Sequence, residues 1–384
     1  MRVLIAPDKF KGSLEAAEVA SSLAAGIEGV LDGVEVDRVP VADGGEGTVA
    51  AALAAGYRAV TVPVTGPVGN PVEATFAVHG EVAVVEMALA SGLGVLPVRD
   101  GRQAFDALGA TSHGTGELVS AALDAGCHRV VLGIGGSANT DGGAGLLSAL
   151  GVRLLDRNGG PVPPGGGGLV RLETVDLTGL DPRVAGTEVV LASDVENPLL
   201  GPTGAAAVFA PQKGADAADV RLLDEALARF AEKLAEVLGD DVHRWAGSAG
   251  AGAAGGVGFA ALAVLGAERR PGIDVVLELV GLDARLEGVD AVVTGEGSLD
   301  SQSLGGKTPL GVARRARAHH VPTVVAVCGR NTLSAEQSRA AGFDRVFSLS
   351  DLEPDVERSM RDAAVLLERV GAEVGRELRA TSTR

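Results

Sequence analysis

Aromatic residues and cysteines are scarce in this chain of 384 residues. Aromatic side chains make up only 3% of the sequence, so the hydrophobic core must be built mainly from alanine, valine and leucine. The two cysteines, Cys127 and Cys328, are far apart, which excludes a disulfide framework and a CxxC metal site. We therefore expect a protein of a reducing compartment, the cytoplasm.

Long apolar runs and basic clusters are also missing. No stretch approaches the roughly 18 apolar residues of a membrane-spanning helix, and the first residues, MRVLIAPDKF, lack the pattern of a signal peptide. The formal net charge is −17 without a basic stripe, which argues against nucleic acid as a partner. We expect neither a membrane nor a nucleic-acid partner. An anionic substrate would need local cations or a metal.

The length and the order of apolar patterns predict two domains. Strand-like apolar runs alternate with helix-forming segments near both chain ends, which predicts parallel sheet covered by helices. Between Val60 and Met87, short apolar runs separated by turn residues are typical of antiparallel hairpins. We predict an α/β protein in which residues 1–62 and 287–384 form a discontinuous Rossmann-like domain. Residues 63–286 would form an inserted α+β domain.

Four acidic residues follow predicted strands, directly or within a residue or two: Asp8, Asp43, Asp194 and Glu296. Ligands of open α/β sheets bind outside the carboxyl ends of the strands. Each acid alone is equally well explained as a turn former. The four together favour a functional site.

Lysine is rare, with five lysines among the 33 basic residues. Lys233 lies in an amphipathic helical pattern and reads as a surface residue. The other four lie in turns with small residues: Lys9, Lys11, Lys213 and Lys307. A compact ammonium is not interchangeable with a guanidinium at a phosphate, so these lysines are candidates for phosphate contacts. The alternative explanation is that lysine is rare through random drift in amino-acid composition, without a functional cause.

Two glycine-rich loops suit phosphate binding. GIGGSANTDGGAG, residues 133–145, follows a predicted strand and opens a helix, where backbone amides and the helix N-terminus favour an anion. Asp141 in this loop is placed to reach a metal; a helix-entry turn capped by Ser137 or Asn139 is the alternative. TGEGSLDSQSLGGKT, residues 294–308, is similar.

Two familiar nucleotide motifs do not hold. GGKT at 305–308 resembles the end of a Walker A loop, but the first glycine of that motif would fall at Ser301. GAGAAG at 250–255 matches GxGxxG by letter, yet it follows a poor strand, HRWAGSA. Acids, lysines and glycine loops together favour phosphoryl transfer, which requires charge neutralisation and positioning.

With these segments assembled, the chain resembles the type-1 glycerate kinase family. The resemblance runs nearly end to end, in ordered blocks: APDKFKGSL, PVADGGEGT, SHGTGEL, GIGGSANTDGGAG, SDVENPLLGPTGAA, FAPQKGA, AGGVGFA and TGEGSLDSQSLGGKTP. It implies ATP, Mg²⁺ and D-glycerate, with 2-phosphoglycerate favoured over 3-phosphoglycerate as the product. It also implies an active site in the cleft between two α/β domains. One departure is that Asn139 and Thr140 are exchanged relative to the family's GGSATNDGG.

The resemblance and the residue types together suggest site roles. The expected catalytic residues are Asp194, as base or orienting carboxylate, with Lys9 and Lys307. The expected substrate-binding residues are Asp8, Lys11, Asp43, Glu46 and Asn197, of which Asp43 and Glu46 are also candidates for metal. The expected nucleotide-binding residues are Gly135, Gly136, Ser137, Asn139, Lys213 and Gly295. The expected metal ligands are Asp141 and Glu296.

Other functions stay open at this point. A nicotinamide-dependent oxidoreductase would use GAGAAG, and a non-catalytic protein would bind small acids without turning over ATP. A kinase for another small sugar acid is a rival within the same class. The oligomeric state, monomer or homodimer, is equally open.

Overall fold

The structure, a computed structural model, describes residues 1–99, 101–301, 303 and 306–382. The chain forms two compact units. The terminal unit contains Met1–Asp43, Ala50–Gly56 and the described residues from Ile273 onward. The inserted unit contains Gly44–Val49 and Tyr57–Gly272.

Most elements lie where the apolar patterns predict them. The strands are β1 (Arg2–Pro7), β2 (Glu35–Arg38), β3 (Arg58–Thr65), β4 (Pro71–His79), β5 (Val82–Glu86), β6 (Val98–Arg99), β7 (Arg102–Gln103), β8 (Arg129–Gly133), β9 (Arg153–Asp156), β10 (Leu172–Asp176), β11 (Glu188–Ala192), β12 (Glu268–Arg270), β13 (Ala291–Leu299), β14 (Thr323–Asn331) and β15 (Arg345–Ser348). The α-helices are α1 (Ala16–Glu28), α2 (Thr48–Ala54), α3 (Ala88–Ser91), α4 (His113–Asp124), α5 (Ala144–Ala149), α6 (Ala205–Phe209), α7 (Ala217–Leu238), α8 (Asp241–Ala246), α9 (Ala253–Ala263), α10 (Gly272–Leu279), α11 (Leu282–Arg285), α12 (Thr308–Ala318), α13 (Ala335–Ala340), α14 (Val356–Arg361) and α15 (Ala363–Ser382). None of the helices in the described residues has the length and apolar character needed to cross a bilayer.

The terminal unit is a parallel sheet with helices on both faces. Its five strands have the order β15-β14-β13-β1-β2, and every neighbouring pair is parallel. Successive side chains of a strand point to opposite faces. Val3 and Ile5 therefore join the core with α1 and α15, whereas Leu4 joins the core with α10 and α12.

Glycines allow α1 and α15 to cross closely. A Cβ atom on Gly26 would lie 2.0 Å from the carbonyl oxygen of Glu368, and one on Gly371 would lie 2.3 Å from that of Leu23. These separations are shorter than any van der Waals contact, so no larger residue fits at either position without moving a helix. The first and last long helices of the chain are thus packed backbone to backbone.

The inserted unit contains a mixed sheet of six strands in the order β12-β11-β8-β5-β4-β3. The strands from β12 to β5 are parallel, and β4 and β3 extend the sheet as antiparallel hairpins. The predicted hairpins between Val60 and Met87 are therefore confirmed, as is the α/β class.

The limits of the two units differ from the predicted domain limits at residues 44–49, 57–62 and 273–286. Residues 57–62 group with the inserted unit because β3 pairs with β4 over its whole length, from Arg58↔Val78 to Thr65↔Pro71. Residues 273–286 group with the terminal unit because Ile273 and Leu277 of α10 are buried in its core.

The start of α1 differs from the residue pattern. Glu15, rather than Ser13, directly precedes the helix, and its backbone N–H donates to the Glu18 carboxylate at 2.9 Å. The Ser13 hydroxyl donates instead to the carbonyl oxygen of Met360 at 2.6 Å. Serine is a residue type that often caps helices, but Ser13 does not cap α1, because its side chain is used in a tertiary contact.

Candidate active site

The expected site residues fall into two groups, one in each unit. The terminal unit holds Asp8, Lys9, Lys11, Asp43, Gly295, Glu296 and Lys307. The inserted unit holds Glu46, Gly135, Gly136, Ser137, Asn139, Asp141, Asp194, Asn197 and Lys213. Within each unit, most of these residues lie at or beyond the carboxyl ends of parallel strands.

Asp8 and Glu296 lie on neighbouring strands of the terminal sheet. β1 and β13 are parallel with Pro7 opposite Gly295, so the residues that follow on each strand are Asp8 and Glu296. The backbone N–H of Asp8 donates to the carbonyl oxygen of Gly295 at 2.8 Å. The Asp8 carboxylate accepts hydrogen bonds of 2.7 Å from the Thr308 hydroxyl and from the backbone N–H of Lys9. The two acids therefore lie together at the carboxyl edge of β1. Asp8 follows its strand, as the sequence predicts, whereas Glu296 lies inside β13, which continues beside β14 to Leu299.

These carboxylates are poorly neutralised by the protein. Burial, followed by the charge of Asp43, raises the pKa of Asp8 to about 7, against the lowering effect of its hydrogen bonds. Burial likewise raises the pKa of Glu296, while Ser303 and Lys307 oppose the change. Glu296 Oε1 is buried and has no hydrogen-bond partner among the described residues. A cation at this edge would lower the pKa of both acids, and a cation or a ligand hydroxyl could be the partner of Glu296 Oε1.

Lysine side chains flank the same edge. Lys307 precedes α12 as its N-cap and is half-buried, and its charge partly offsets the rise in the pKa of Glu296. Lys9 is half-buried beside Asp8, and Lys11 is exposed. Residues 302, 304 and 305 of the loop before Lys307 lie outside the described residues.

Gly295 has a packing role. It lies inside the sheet between β1 and β14, and a Cβ atom there would fall 2.1 Å from the carbonyl oxygen of Val327. The lack of a side chain is therefore explained by the close approach of the neighbouring strand. This geometry gives no support to the expected nucleotide contact of Gly295.

In the inserted unit, the glycine loop after β8 packs against the acidic loop 44–47. Gly136 has a φ of +70°, and a Cβ atom on it would lie 2.3 Å from Glu46 Oε1. A Cβ atom on Gly135 would lie 2.8 Å from the Cα atom of Gly45. Glycine is thus required at both positions, and the Glu46 carboxylate lies directly against the glycine loop.

Glu86, at the end of β5, is a site-supporting residue that sequence reasoning missed. Its carboxylate is 4% exposed and accepts hydrogen bonds of 3.1 Å from the backbone N–H groups of Gly47 and Val49. It therefore fixes the loop that carries Glu46. An acid at the end of an apolar run, as in VAVVEM, was the available signal.

Asp141 does not face a ligand. Its side chain is 0% exposed, and its oxygens accept hydrogen bonds from the backbone N–H groups of Ser112, Gly143 and Gly145 and from the side chains of Thr111, Ser112 and Asn139. A carboxylate so fully occupied holds the loop to the start of α5. The metal role expected for Asp141 therefore has no geometric support.

Lys213 also points inward. It is 1% exposed, and its ammonium donates to Ser137 Oγ at 2.9 Å and to the carbonyl oxygen of Asn139. Burial lowers its pKa to about 7, and the charge of Asp141 opposes that change. The expected direct contact of Lys213 with nucleotide is therefore replaced by a contact with the loop itself.

Asp194 follows β11 and is exposed. Its Oδ1 accepts a hydrogen bond of 3.0 Å from the backbone N–H of Gly272. Gly272 is also in contact with the acidic loop, since a Cβ atom on Gly44 would lie 2.4 Å from the Cα atom of Gly272. Asn197, three positions after Asp194, donates through Nδ2 to the carbonyl oxygen of Thr203 at 2.8 Å. An accessible carboxylate thus lies at the carboxyl end of β11, beside the loop that carries Glu46.

The GAGAAG segment has a different context from a dinucleotide motif. It follows the helix α8 instead of a strand, and Ala254, Gly255 and Gly256 are all in left-handed conformations. Asn139 Nδ2 donates to the carbonyl oxygen of Ala254 at 3.3 Å. The segment therefore supports the glycine loop, and the oxidoreductase alternative loses its motif.

Protein side chains alone do not form a metal site in the part of the chain that the structure describes. No group of three or more His, Cys, Asp and Glu residues there is placed to hold a metal ion. A metal at the Asp8 and Glu296 edge would need further oxygen atoms from a ligand or from water.

Comparisons with known proteins support the family resemblance that the ordered sequence blocks indicate. The glycerate kinase family model matches residues 3–379. A glycerate kinase from Bacillus subtilis (strain 168) is 44% identical over 386 aligned positions, 100% of this chain and 99% of the relative. A glycerate 2-kinase from Escherichia coli (strain K12) is 44% identical over 352 positions, 91% of this chain and 90% of the relative.

A solved structure extends the similarity to the fold. The crystal structure of a candidate glycerate kinase 2 from Salmonella typhimurium LT2 has a TM-score of 0.85 and 41% identity, and the alignment covers 100% of both chains. Because the family model and these relatives extend over nearly all of the sequence, the chain belongs to the glycerate kinase family.

Proposed function

We propose that this protein transfers the γ-phosphoryl group of ATP to the 2-hydroxyl of D-glycerate, giving 2-phosphoglycerate and ADP. The observation that carries the proposal is the pair of desolvated carboxylates, Asp8 and Glu296, with Lys307 beside them at one sheet edge. Phosphoryl transfer needs such a balance of anionic and cationic groups around the phosphates. The name of the Escherichia coli relative, a glycerate 2-kinase, supports the choice of hydroxyl.

Mg²⁺ fits the terminal unit. Glu296 Oε1 is a buried oxygen without a partner among the described residues, and the charge of Asp43 contributes to the raised pKa of both Asp8 and Glu296. Mg²⁺ takes one or two protein carboxylates together with phosphate oxygens and water, so the lack of a complete protein cage is no obstacle. Glu296 and Asp43 would hold the ion, which would neutralise phosphate charge.

The remaining roles follow from position and charge. Asp194, exposed at the end of β11, would accept the proton of the glycerate hydroxyl or orient that hydroxyl. Lys9, Lys11 and Lys307 would bind phosphate oxygens or the glycerate carboxylate. The backbone from Gly135 to Ser137 would line the phosphates of ATP, as glycine loops before helices do.

The substrate set also includes Asp8, Glu46 and Asn197. Asp8, whose pKa is raised to about 7, would bind a glycerate hydroxyl, and Glu46 and Asn197 stay proposed substrate contacts by residue type. The two cysteines are free and buried, which suits a cytoplasmic enzyme.

³¹P NMR of the products formed from ATP, Mg²⁺ and D-glycerate tests this function. We expect a phosphomonoester doublet, because the phosphate of 2-phosphoglycerate couples to the single hydrogen on C2. A triplet would indicate 3-phosphoglycerate and overturn the choice of hydroxyl. The absence of any phosphomonoester, with ATP unconsumed, would contradict the kinase assignment. A parallel sample with excess EDTA should be inactive.

A further inference from the structure

The buried ammonium of Lys213 is attached to the glycine loop at two points. Nζ donates to Ser137 Oγ at 2.9 Å and to the carbonyl oxygen of Asn139. The lysine itself lies at the end of a short 3₁₀ helix, Pro211–Lys213, and is 1% exposed. Its ammonium is thus enclosed by protein and is not accessible for direct contact with a bound nucleotide.

The loop is fixed on other sides as well. Asn139 Nδ2 donates to Asp141 Oδ1 at 2.7 Å, and Asp141 accepts further bonds from Ser112. The negative charge of Asp141 is the one that favours the charged form of Lys213. Lys213 and Asp141 therefore both hold Asn139, one at its backbone carbonyl oxygen and the other at its side chain, and both are buried, where hydrogen bonds are stronger than in water.

The left-handed segment at α9 forms a close backbone contact with the same residues. A Cβ atom on Gly255 would lie 2.2 Å from the carbonyl oxygen of Asn139, the acceptor of the Lys213 bond. Ala254 has a φ of +54°, which is costly for a residue with a side chain. Strain of this kind persists where the surrounding structure fixes the backbone. The loop is thus confined between Lys213, Asp141 and this segment.

We propose that Lys213 is a positioning residue for ATP: without touching the nucleotide, its buried ammonium holds residues 137–139 so that the glycine loop keeps the conformation that receives the phosphates. This inference rests on the proposed nucleotide site. It differs from a stabilising core contact, because the loss of the ammonium should act on nucleotide binding more than on the fold.

Three variants separate these roles. Lys213→Met keeps most of the side-chain length and removes the ammonium, whereas Lys213→Gln keeps a neutral hydrogen-bond donor. Lys233→Met is the matched control, because Lys233 belongs to α7 and pairs with the exposed carboxylate of Glu236 at 2.9 Å instead of with the glycine loop. ATP affinity is measured directly without glycerate, and hydrogen exchange is followed in peptides covering 133–145 and 217–238.

We expect Lys213→Met to weaken ATP binding by about ten-fold or more and to speed exchange in 133–145 while leaving 217–238 unchanged. Lys213→Gln should lie between this variant and the wild type, and Lys233→Met should match the wild type. At saturating ATP, the KM for glycerate should change by less than about two-fold.

Wild-type ATP affinity in Lys213→Met would overturn the proposal. Equal loss of protection in both peptides, in Lys213→Met and Lys213→Gln alike, would also overturn it by making Lys213 a core residue. A wild-type protein that binds ATP but does not phosphorylate glycerate would contradict the proposed function and leave the inference about Lys213 intact.

Discussion

The hydroxyl of Thr308 donates a hydrogen bond of 2.7 Å to Asp8 Oδ2, which joins the first turn of α12 to the end of β1. This bond and the one from the Lys9 backbone favour the ionised carboxylate, but burial and Asp43 outweigh them and raise its pKa to about 7. The candidate site therefore contains an acid that ionises less readily in the unliganded protein than an aspartate in water.

Asp8→Asn should stabilise the unliganded protein at alkaline pH. The pKa of Asp8 rises from 3.8 to about 7 on folding, so the folded state binds more protons between these values. The resulting loss of stability begins above about pH 4 and is complete above about pH 7. The melting temperature of Asp8→Asn should exceed that of the wild type at about pH 8, and the gain should shrink towards about pH 4.

Melts of both proteins in EDTA across this pH range provide the measurement. A difference in melting temperature that does not depend on pH would contradict the assigned ionisation. Thr308→Val removes a bond to the ionised form, so it should steepen the loss of stability with rising pH. Turnover of Asp8→Asn should fall at every pH, because the substrate contact is lost.

Gly136→Ala should abolish turnover, whereas Gly159→Ala should not. Both glycines have positive φ values, +70° and +77°, so both substitutions cost about 1 kcal/mol or more of backbone strain. Only at Gly136 would the new methyl group meet the Glu46 carboxylate; nothing lies within 4 Å of a Cβ at Gly159. Comparing kcat and the melting temperature separates strain from damage to the site. Equal activity of the two variants would remove the glycine loop from the site.

Glu86→Ala should destabilise the protein by about 2 kcal/mol and impair catalysis. It leaves the N–H groups of Gly47 and Val49 without their acceptor, so the loop that carries Glu46 loses its support. Glu86→Gln keeps one acceptor oxygen and should recover part of both losses. Urea denaturation and steady-state kinetics measure the effects. If Glu86→Ala unfolds like the wild type, Glu86 does not hold this loop.

Asp194→Asn should lower kcat by about 10²-fold or more if Asp194 is the base, with little change in ATP affinity. Asparagine keeps the shape and can still accept from the Gly272 backbone N–H, but it cannot take up the hydroxyl proton. Partial rescue by added Mg²⁺ would instead indicate a metal ligand. A lower melting temperature with normal turnover would indicate a turn former.

Lys307→Ala should reduce kcat by about 10²-fold, whereas Lys233→Ala should be nearly silent. Lys307 is half-buried at the start of α12 beside Glu296. Lys233 has a side chain that is 15% exposed, and it pairs with Glu173 and Glu236, whose side chains are 49% and 60% exposed. Ion pairs with carboxylates that face solvent contribute little. The measurement is kcat of both variants with ATP and D-glycerate. Similar kcat values for the two would show that the rarity of lysine does not identify functional residues.

The sheets and their polar edges could be predicted from the sequence because both depend on local pattern. Short β-branched runs such as RVLIA and EVVLAS specify buried strands, and parallel strands place whatever follows them at one edge. Asp8 and Asp194 follow β1 and β11 for this reason, whereas Glu296 lies within β13, three positions before its end. The limits of the units depend instead on pairing between distant segments, as for β3 and α10, which no local pattern reveals.

The direction of polar side chains was the part that the sequence could not supply. A lysine in the glycine-containing turn PQKGA is typical of an exposed position, yet Lys213 is buried by packing against a loop more than seventy positions earlier. Asp141 has the residue type of a metal ligand, and its main donor, Ser112, comes from another segment. Such partners are set by tertiary contacts, so the same local sequence is compatible with a buried structural role and with an exposed ligand-binding role.

The close crossing of α1 and α15 has a consequence for the order in which the protein is made. The inserted unit is complete once residue 272 has left the ribosome, whereas the terminal unit must wait for the last helix, synthesised more than three hundred residues after the first strand. Until then the apolar face of α1, including Val19, Leu23 and Ile27, has no partner helix to cover it. The nascent N-terminal segment is therefore a natural client for chaperones, and a stop codon before α15 should yield an aggregating chain rather than a shortened enzyme.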